Sequence, residues 1–313
     1  MIDQAARRSL GDLLGERVEF DAPLARHTSL RIGGPADALA TPLNRTELAE
    51  TLAICHEHGL ATRVLGAGFN VLVSDAGLRA VVIRLKKLRG IERVSQTTIA
   101  IEAGASHATI TRYCVEHGLS GLEFGAGIPG TLGGWLAMNA GIGVREIKDV
   151  VERIDLLAAD GQRLPTIERE SLDFQYRTLP GLPKGSVMVG AHLAVTESER
   201  PKVQSEIDRL LSHRQATQPT DIPSCGSVFR NPPGDFAGRL IEAAGLKGTR
   251  EGGAEISTLH ANFIVNHGGA TAADVLRLIE RAREAVAHGS GIELDTEVQL
   301  LGEQPSILET NAS

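Results

Sequence analysis

Four stretches carry residue types able to do chemistry or to hold a phosphate. The first is 118–143, GLSGLEFGAGIPGTLGGWLAMNAGIG, too rich in glycine to bury a helical or alternating face. Glycine costs folding entropy, so such a run either lets backbone amides approach a flat or phosphorylated ligand or packs two layers together through turns. From this stretch alone the two readings stand level. Gly125, Gly127 and Gly130 meet the G-x-G-x-x-G spacing of a dinucleotide loop, which requires a strand before it and a helix after it. SGLEF is no β-branched run, Pro129 lies inside the motif, and Gly133 and Gly134 are expected to break the helix, so a Rossmann loop is rejected. The second stretch is 66–70, GAGFN, after a strand expected at 62–65. It either offers consecutive amides to a phosphate or is an ordinary tight turn, and Val71 stands where a Rossmann loop wants glycine. The third is the proline-rich loop LDFQYRTLPGLPKG, in which spacing alone makes Arg177 a surface charge sooner than a cation serving a site. The fourth is PSCGSVFRNP, where Ser227 lacks the G-x-S-x-G elbow of a hydrolase nucleophile. Glu297, taken alone, is one of several carboxylates on a solvated strand face. His56 and His58 lack H-E-x-x-H spacing, and Cys55, Cys114 and Cys225 are too few and too scattered for a disulfide or zinc framework. No metal site is expected.

The elements that must position these residues alternate in type along the chain. A helical start leads to two short strands within 18–41, with a turn signalled by Gly33, Gly34 and Pro35. A helix over 46–58 places Leu48, Leu52 and Cys55 on one face and stops at Gly59. The strand at 62–65 and another from Ala80 flank the GAGFN loop as a βαβ-like unit. A strand at 97–103 and a helix from a Ser106 cap to His117 deliver the chain into the glycine segment. Beyond it come a hairpin around Asp160-Gly161, a strand at 187–196 and a helix carrying Val203, Ile207, Leu210 and Leu211. A helix from Asp235 should turn Phe236, Leu240, Ile241 and Ala244 inward. Thr271 and Asp274 form a capping box for a last helix with Val275, Leu278, Ile279, Ala282 and Val286 on its apolar stripe. A final strand over 292–300 should alternate, with Ile292, Leu294, Thr296, Val298 and Leu300 on one face.

With 313 residues, 42% of them hydrophobic, the chain can bury a large core divided among two or three domains. Its 32 basic and 39 acidic residues give a formal charge of -7, with no basic block and 3% aromatic residues, which argues against a nucleic-acid partner. No apolar run approaches a membrane span and the N-terminus lacks the apolar core of a signal peptide. Together with the odd number of cysteines, this leads to the expectation of a cytoplasmic protein without a membrane partner.

With these pieces in order the chain resembles the UDP-N-acetylenolpyruvoylglucosamine reductases, flavoenzymes of peptidoglycan precursor synthesis. The resemblance runs from about Thr28 to Gly302 through TSLRIGGPAD, LGAGFNVLVSD, GLEFGAGIPGTLGGWLAMNAG, Tyr176-Arg177, PSCGSVFRNP, AGRLIEAAGLKG, HANFIVN and EVQLLG. It implies an α+β protein: a two-subdomain FAD-binding fold of the PCMH type at 1–86 and 87–198, and a C-terminal α+β substrate-binding domain at 199–313. It implies FAD as cofactor, NADPH as co-substrate and a small nucleotide-sugar substrate; the chain is expected to act as a monomer. Hydride would pass from flavin N5 to C3 of an enolpyruvyl ether and a proton to C2. On the same resemblance, Leu65, Gly66, Ala67, Gly68, Phe69 and Asn70 cradle the FAD pyrophosphate, and Gly125, Ala126, Ile128, Pro129, Gly133, Gly134 and Asn139 lie along the cofactor. Arg177 is the catalytic arginine that stabilises charge developing on the substrate, Ser227 the acid, and Glu297 the group that polarises or orients the enolate. Tyr176, Arg214, Arg230, Asn231 and His260 face the substrate. The short gap between Val189 and Glu197 places the chain in the shorter subclass, which lacks a tyrosine-bearing lid. Phe69, Leu179 and Gln299 depart from the family's usual serine or threonine, serine, and arginine. The loss of a hydroxyl at 69 removes a hydrogen bond worth about 0.5–1.5 kcal/mol. Two rivals are a related flavoprotein oxidase acting on an alcohol or sugar, which often tethers its flavin through histidine or cysteine, and a non-catalytic nucleotide-sugar sensor. Residues 66–74 hold neither tethering residue, and the joint presence of Arg177, Ser227 and Glu297 argues against the sensor.

Overall fold

The structure, a computed structural model, describes residues 2–303; residues 304–313, the end of the third expected segment, lie outside the described residues. The chain folds as two compact units, and each is assembled from separated pieces of sequence. The first comprises the chain up to Asp21 with Asp37–Ala67 and Ala80–His213; the second comprises Ala22–Ala36, Gly68–Arg79 and the chain from Arg214 onward. Residues 22–36 and 68–79, expected in the first FAD-binding subdomain, thus pack with the C-terminal part of the chain.

Two sheets organise the first unit. One orders Val18–Pro23, Pro35–Ala40, Leu78–Ile83 and Thr62–Val64, the last two parallel. Helices α1 (Gln4–Leu14) and α2 (Arg45–Glu57) cover it, burying Leu10, Leu14, Leu48, Leu52 and Cys55 against Val81 and Ile83. Asn44 caps α2 by accepting from the Glu47 N–H at 2.9 Å. The other sheet is antiparallel and orders Ile167–Glu168, Val151–Leu157, Val187–Ala194, Thr98–Glu102 and Ile91–Arg93. Alternation within Thr98–Glu102 sends Ile99 and Ile101 into a core shared with Ile110 and Cys114 of α3 (His107–His117) and with Trp135. Ser106 accepts from the Thr109 N–H, and Gly118, at φ +61°, ends the helix, as its sequence signals require.

The glycine segment contains a 3-10 turn, Glu123–Gly127, and then a short helix, α4 (Leu132–Ala137). Gly133 and Gly134 therefore do not break a helix here, contrary to expectation. Tertiary anchoring overrides their propensity: the Leu132 N–H donates to Ala105 O at 3.0 Å and the Gly133 N–H to Ala103 O at 2.8 Å, so the first turn of α4 is tied to the loop after Thr98–Glu102. No long strand leads into Gly125, only the two residues Leu119–Ser120 and the 3-10 turn, so the Rossmann rejection holds on that ground. Helix α5 (Arg200–Thr217) follows the sheet and buries Val203 and Ile207.

The second unit packs α6 (Ala237–Ala243) and α7 (Ala272–Ser290) in one core with a four-stranded antiparallel sheet. Its order is Ser224–Ser227, Phe263–Asn266, Ala254–Ile256, Arg250–Glu251. The Thr271 and Asp274 capping box opens α7, and Asp75 adds its carboxylate to the same end, accepting from the N–H groups of Ala272 at 2.8 Å and Ala273 at 3.2 Å. Phe236 is 67% exposed, not inward: it occupies the N-cap, one residue before the periodic face of α6 begins. The last strand is Gln299–Leu301 only. It pairs parallel with the wholly buried Val71–Val73, a register that buries Leu301 and leaves Leu300 exposed, so the alternation expected over 292–300 fails at its end. Among the described residues no helix is long and apolar enough to cross a membrane.

Candidate active site

The loop 66–70 has the backbone of an anion cradle. Gly68, at φ +76°, and Asn70, at φ +57°, are left-handed, and among the described residues the N–H groups of Gly66, Ala67, Gly68 and Phe69 find no backbone acceptor elsewhere in the chain. The loop is held from outside those amides. The Ser29 N–H donates to Gly68 O at 2.9 Å, the Leu65 N–H to Ile83 O at 3.0 Å and the Asn70 N–H to Cys225 O at 3.0 Å. Gly68 has no room for a Cβ, which would run into the backbone of His27 and Thr28. Arg84 was not singled out by its sequence, yet its guanidinium donates to Gly66 O at 3.3 Å and burial lowers its pKa. Its signal was a lone cation inside the apolar run AVVIRL.

Not every glycine of 118–143 serves an open surface. A Cβ on Gly125 would strike the Trp135 ring, one on Gly127 would strike Ile142, and one on Gly133 would come within 3.3 Å of Ala103. Gly130 needs its φ of +129°, whereas Gly134 has only Thr131 Oγ1 at 3.8 Å before its missing Cβ. Both readings of the segment are therefore realised: packing fixes 125, 127 and 133, and Gly134 faces space. Ala126 is buried, while Ile128 and Pro129 are half-buried. Asn139 is 0% exposed, and its side chain is engaged with Glu146, Gln175 and Lys148.

Tyr176 and Arg177 are the two central residues of a tight turn, in which the Gln175 N–H donates to Thr178 O at 3.0 Å and the Thr178 N–H to Gln175 O at 3.3 Å. Arg177 sits at φ +58°, a strained position for a side chain of that size, and its guanidinium lies 5.0 Å from the centre of the Tyr176 ring. Leu179, where the family's serine was expected, is 8% exposed and belongs to the core of the first unit.

Within the second unit the structure brings Ser227 and Glu297 onto adjoining backbone. Val228 O accepts from the Glu297 N–H at 2.7 Å and the Val298 N–H at 3.2 Å, and Phe229 bridges to Thr296. Asn70 Nδ2 donates to Glu297 O at 3.1 Å. From the other side Asn262 clamps Phe229, accepting from its N–H at 2.9 Å and donating to its carbonyl at 2.8 Å. A bulge between Ser224 and Ser227, with Gly226 at φ +84°, turns the strand just before the serine. Cys225, two residues earlier, is 1% exposed, and burial pushes its thiol up to about 12, so it is a packed thiol and not a reactive one. Gln299, in place of the family's arginine, takes part through its backbone, donating to Asn70 O at 3.0 Å.

The remaining expected substrate residues of this unit are Arg214, Arg230, Asn231 and His260, and the Arg230 N–H donates to Asp295 O at 2.9 Å, two residues before Glu297. Arg230 and Arg214 each bury an Nε with no hydrogen-bond partner among the described residues, and desolvation lowers the pKa of Arg214. Such a guanidinium calls for an anion. Asn231 Oδ1 accepts from the Ala237 N–H at 3.0 Å, so part of this side chain caps α6. His260 Nδ1 accepts from the Asn262 N–H at 3.2 Å, which leaves the proton of a neutral ring on Nε2; burial lowers its pKa, and the ring packs edge-on against Phe263.

The comparisons with known proteins follow this geometry. Residues 36–166 match an FAD binding domain and residues 218–301 match the C-terminal domain of UDP-N-acetylenolpyruvoylglucosamine reductase. An FAD-binding fold joined to a reductase-type C-terminal domain defines the class, a flavin-dependent oxidoreductase of mixed α+β fold. The chain is 46% identical over 303 residues to the UDP-N-acetylenolpyruvoylglucosamine reductase of Anaeromyxobacter dehalogenans strain 2CP-C, covering 97% of this chain and 90% of that one. It is 42% identical over 304 residues to that of Geobacter sulfurreducens, covering 97% and 100%. The crystal structure of the Thermus caldophilus enzyme superposes with a TM-score of 0.77 at 34% identity, covering 91% of this chain and 98% of that one. The chain belongs to the UDP-N-acetylenolpyruvoylglucosamine reductase family.

Proposed function

We infer that this chain reduces the enolpyruvyl ether of UDP-N-acetylglucosamine to UDP-N-acetylmuramate, with NADPH as electron source, in peptidoglycan precursor synthesis. The observation that carries the site is the bond from the Glu297 N–H to Val228 O at 2.7 Å, which sets the proposed acid, Ser227, and the proposed carboxylate on neighbouring backbone. The loop 66–70 fits a pyrophosphate: its amides are open and its φ angles alternate as an anion nest requires. When bound, FAD supplies the hydride that adds to C3 of the substrate.

The rest is the work of this chain. Leu65, Gly66, Ala67, Gly68, Phe69 and Asn70 hold the pyrophosphate through backbone, with Arg84 as a nearby cation, and Gly125, Ala126, Ile128, Pro129, Gly133 and Gly134 line the bed of the ring system. Arg177 stabilises the negative charge that develops on the substrate carboxylate as C2 becomes carbanionic. Ser227 delivers a proton to C2, and Glu297 orients the enolate end. Arg214 and Arg230 meet the anionic groups of the substrate, and Tyr176, Asn231 and the Nε2–H of His260 complete its binding. The segments 1–86 and 87–198, apart from residues 22–36 and 68–79, serve as the cofactor-binding subdomains, and the chain from about 199 onward serves as the substrate-binding part. The protein works as a monomer in the cytoplasm, a compartment that suits its three free thiols.

Anaerobic half-reactions of Ser227→Ala test the assignment. NADPH should bleach the flavin as in the wild type, while reoxidation by the enolpyruvyl substrate slows about 10²- to 10⁴-fold, the range of general-acid catalysis. Wild-type rates in both halves would remove Ser227 from the role of acid. Denaturation separates the oxidase alternative, because yellow colour left on the polypeptide would mean a tethered flavin.

A further inference from the structure

Asn139 combines three features that a packing residue does not need. It is 0% exposed, it holds φ +39°, and its amide is bonded at both ends. Nδ2 donates to Glu146 Oε2 and to Gln175 O, each at 3.0 Å, and Oδ1 accepts from the Lys148 N–H at 3.3 Å. This orientation is forced: exchanging O and N would set an oxygen between two acceptors and an NH₂ against an N–H. Glu146 cannot swing away. Lys148 Nζ lies 2.5 Å from the same Oε2, and Glu146 forms a reciprocal cap with Asp149, whose carboxylate accepts the Glu146 N–H at 2.8 Å.

Gln175 O is the first carbonyl of the turn that carries Tyr176 and Arg177, and among the described residues it accepts, besides Asn139, only the long bond from Thr178. Arg177 occupies a left-handed position that persists only where the surroundings over-determine it. We propose that Asn139 is the positioning residue for Arg177: its amide ties the end of the glycine segment to the Gln175 carbonyl and so fixes the turn from which the arginine acts. Asparagine suits the post because it tolerates left-handed backbone and carries two donors; glycine offers only the first and aspartate only the shape. The side chain is thus a strut and not a cofactor ligand.

The proposal rests on Arg177 being the cation of the hydride step, and its test separates the two. Asn139→Gly, Arg177→Ala and the double variant are loaded with FAD and followed anaerobically through both half-reactions, with FAD affinity measured alongside. Asn139→Gly should bind FAD and be bleached by NADPH like the wild type. Its reoxidation by the enolpyruvyl substrate should slow about 10- to 10²-fold, the scale of a small misplacement. In the Arg177→Ala background the same change should cost nothing further. Asn139→Asp, which keeps shape and acceptor but loses both donors, should repeat the pattern where the glycine variant does not fold. An equal loss in both backgrounds, a loss confined to FAD affinity, or no loss would overturn the proposal while leaving Arg177 in its role. Wild-type reoxidation by Arg177→Ala would remove the role of Arg177 and the proposal together.

Discussion

One extra residue in the strand Ser224–Ser227 decides where Ser227 faces. Three steps along it oppose two along Phe263–Asn266, and Gly226 takes up the difference at φ +84°. Arg177 and Glu297 are likewise set by irregular backbone, the one at a strained turn and the other between an isolated bridge at Thr296 and the start of the strand Gln299–Leu301. Residues so placed obey no period, which is why spacing alone ranked Arg177 as a surface charge and Glu297 as one carboxylate of a solvated face. The roles proposed for them rest on the family motifs around them. His260 shows what burial adds at this scale. Its folded pKa lies below the ordinary histidine value of 6.5, so below pH 6.5 the unfolded chain binds more protons than the folded one and stability falls as pH falls, until the folded pKa is passed. His260→Gln should therefore flatten the decline of melting temperature on the acid side of pH 6.5 relative to wild type. An unchanged or steeper decline would show that this imidazole is not held neutral.

At the scale of elements, the glycine segment divides between packing and access, and two substitutions tell the parts apart. Gly125→Ala forces a methyl into the Trp135 ring and should destabilise the fold by about 1–3 kcal/mol, as overpacking does. Gly134→Ala places its methyl in ordinary contact within α4, where alanine is favoured over glycine by about 1 kcal/mol. Its melting temperature should hold or rise in the apoprotein while FAD affinity falls. Equal FAD affinity in Gly134→Ala and wild type would mean that Gly134 does not border the cofactor. The helices α1, α2, α3 and α7 were readable because each has a cap, a period and a stop in its own sequence, as with Ser106 and Gly118 around α3. α4 was not readable, since its first turn is held by Ala103 and Ala105 from elsewhere in the chain. Val71–Val73, Ala254–Ile256 and Phe263–Asn266 escaped notice because they are short and buried along their whole length, leaving no alternation to detect.

For the molecule as a whole, the mixed α+β architecture and its FAD-binding and reductase parts were legible through the resemblance carried by the order of the motifs. The assembly of the second unit from Ala22–Ala36, Gly68–Arg79 and the C-terminal part of the chain was not. It depends on long-range pairs such as Gln299–Leu301 with Val71–Val73 and the Asp75 cap on α7, which no local pattern announces. The central claim is that one non-covalent flavin passes electrons from NADPH to an enolpyruvyl double bond. It is tested most directly by anaerobic double mixing of the purified wild-type protein, first with NADPH and then with UDP-N-acetylglucosamine enolpyruvate. The flavin should bleach, recover its colour in step with substrate, and leave UDP-N-acetylmuramate as product. Protein that takes up no flavin, or reduced flavin that the substrate fails to reoxidise, would contradict the account.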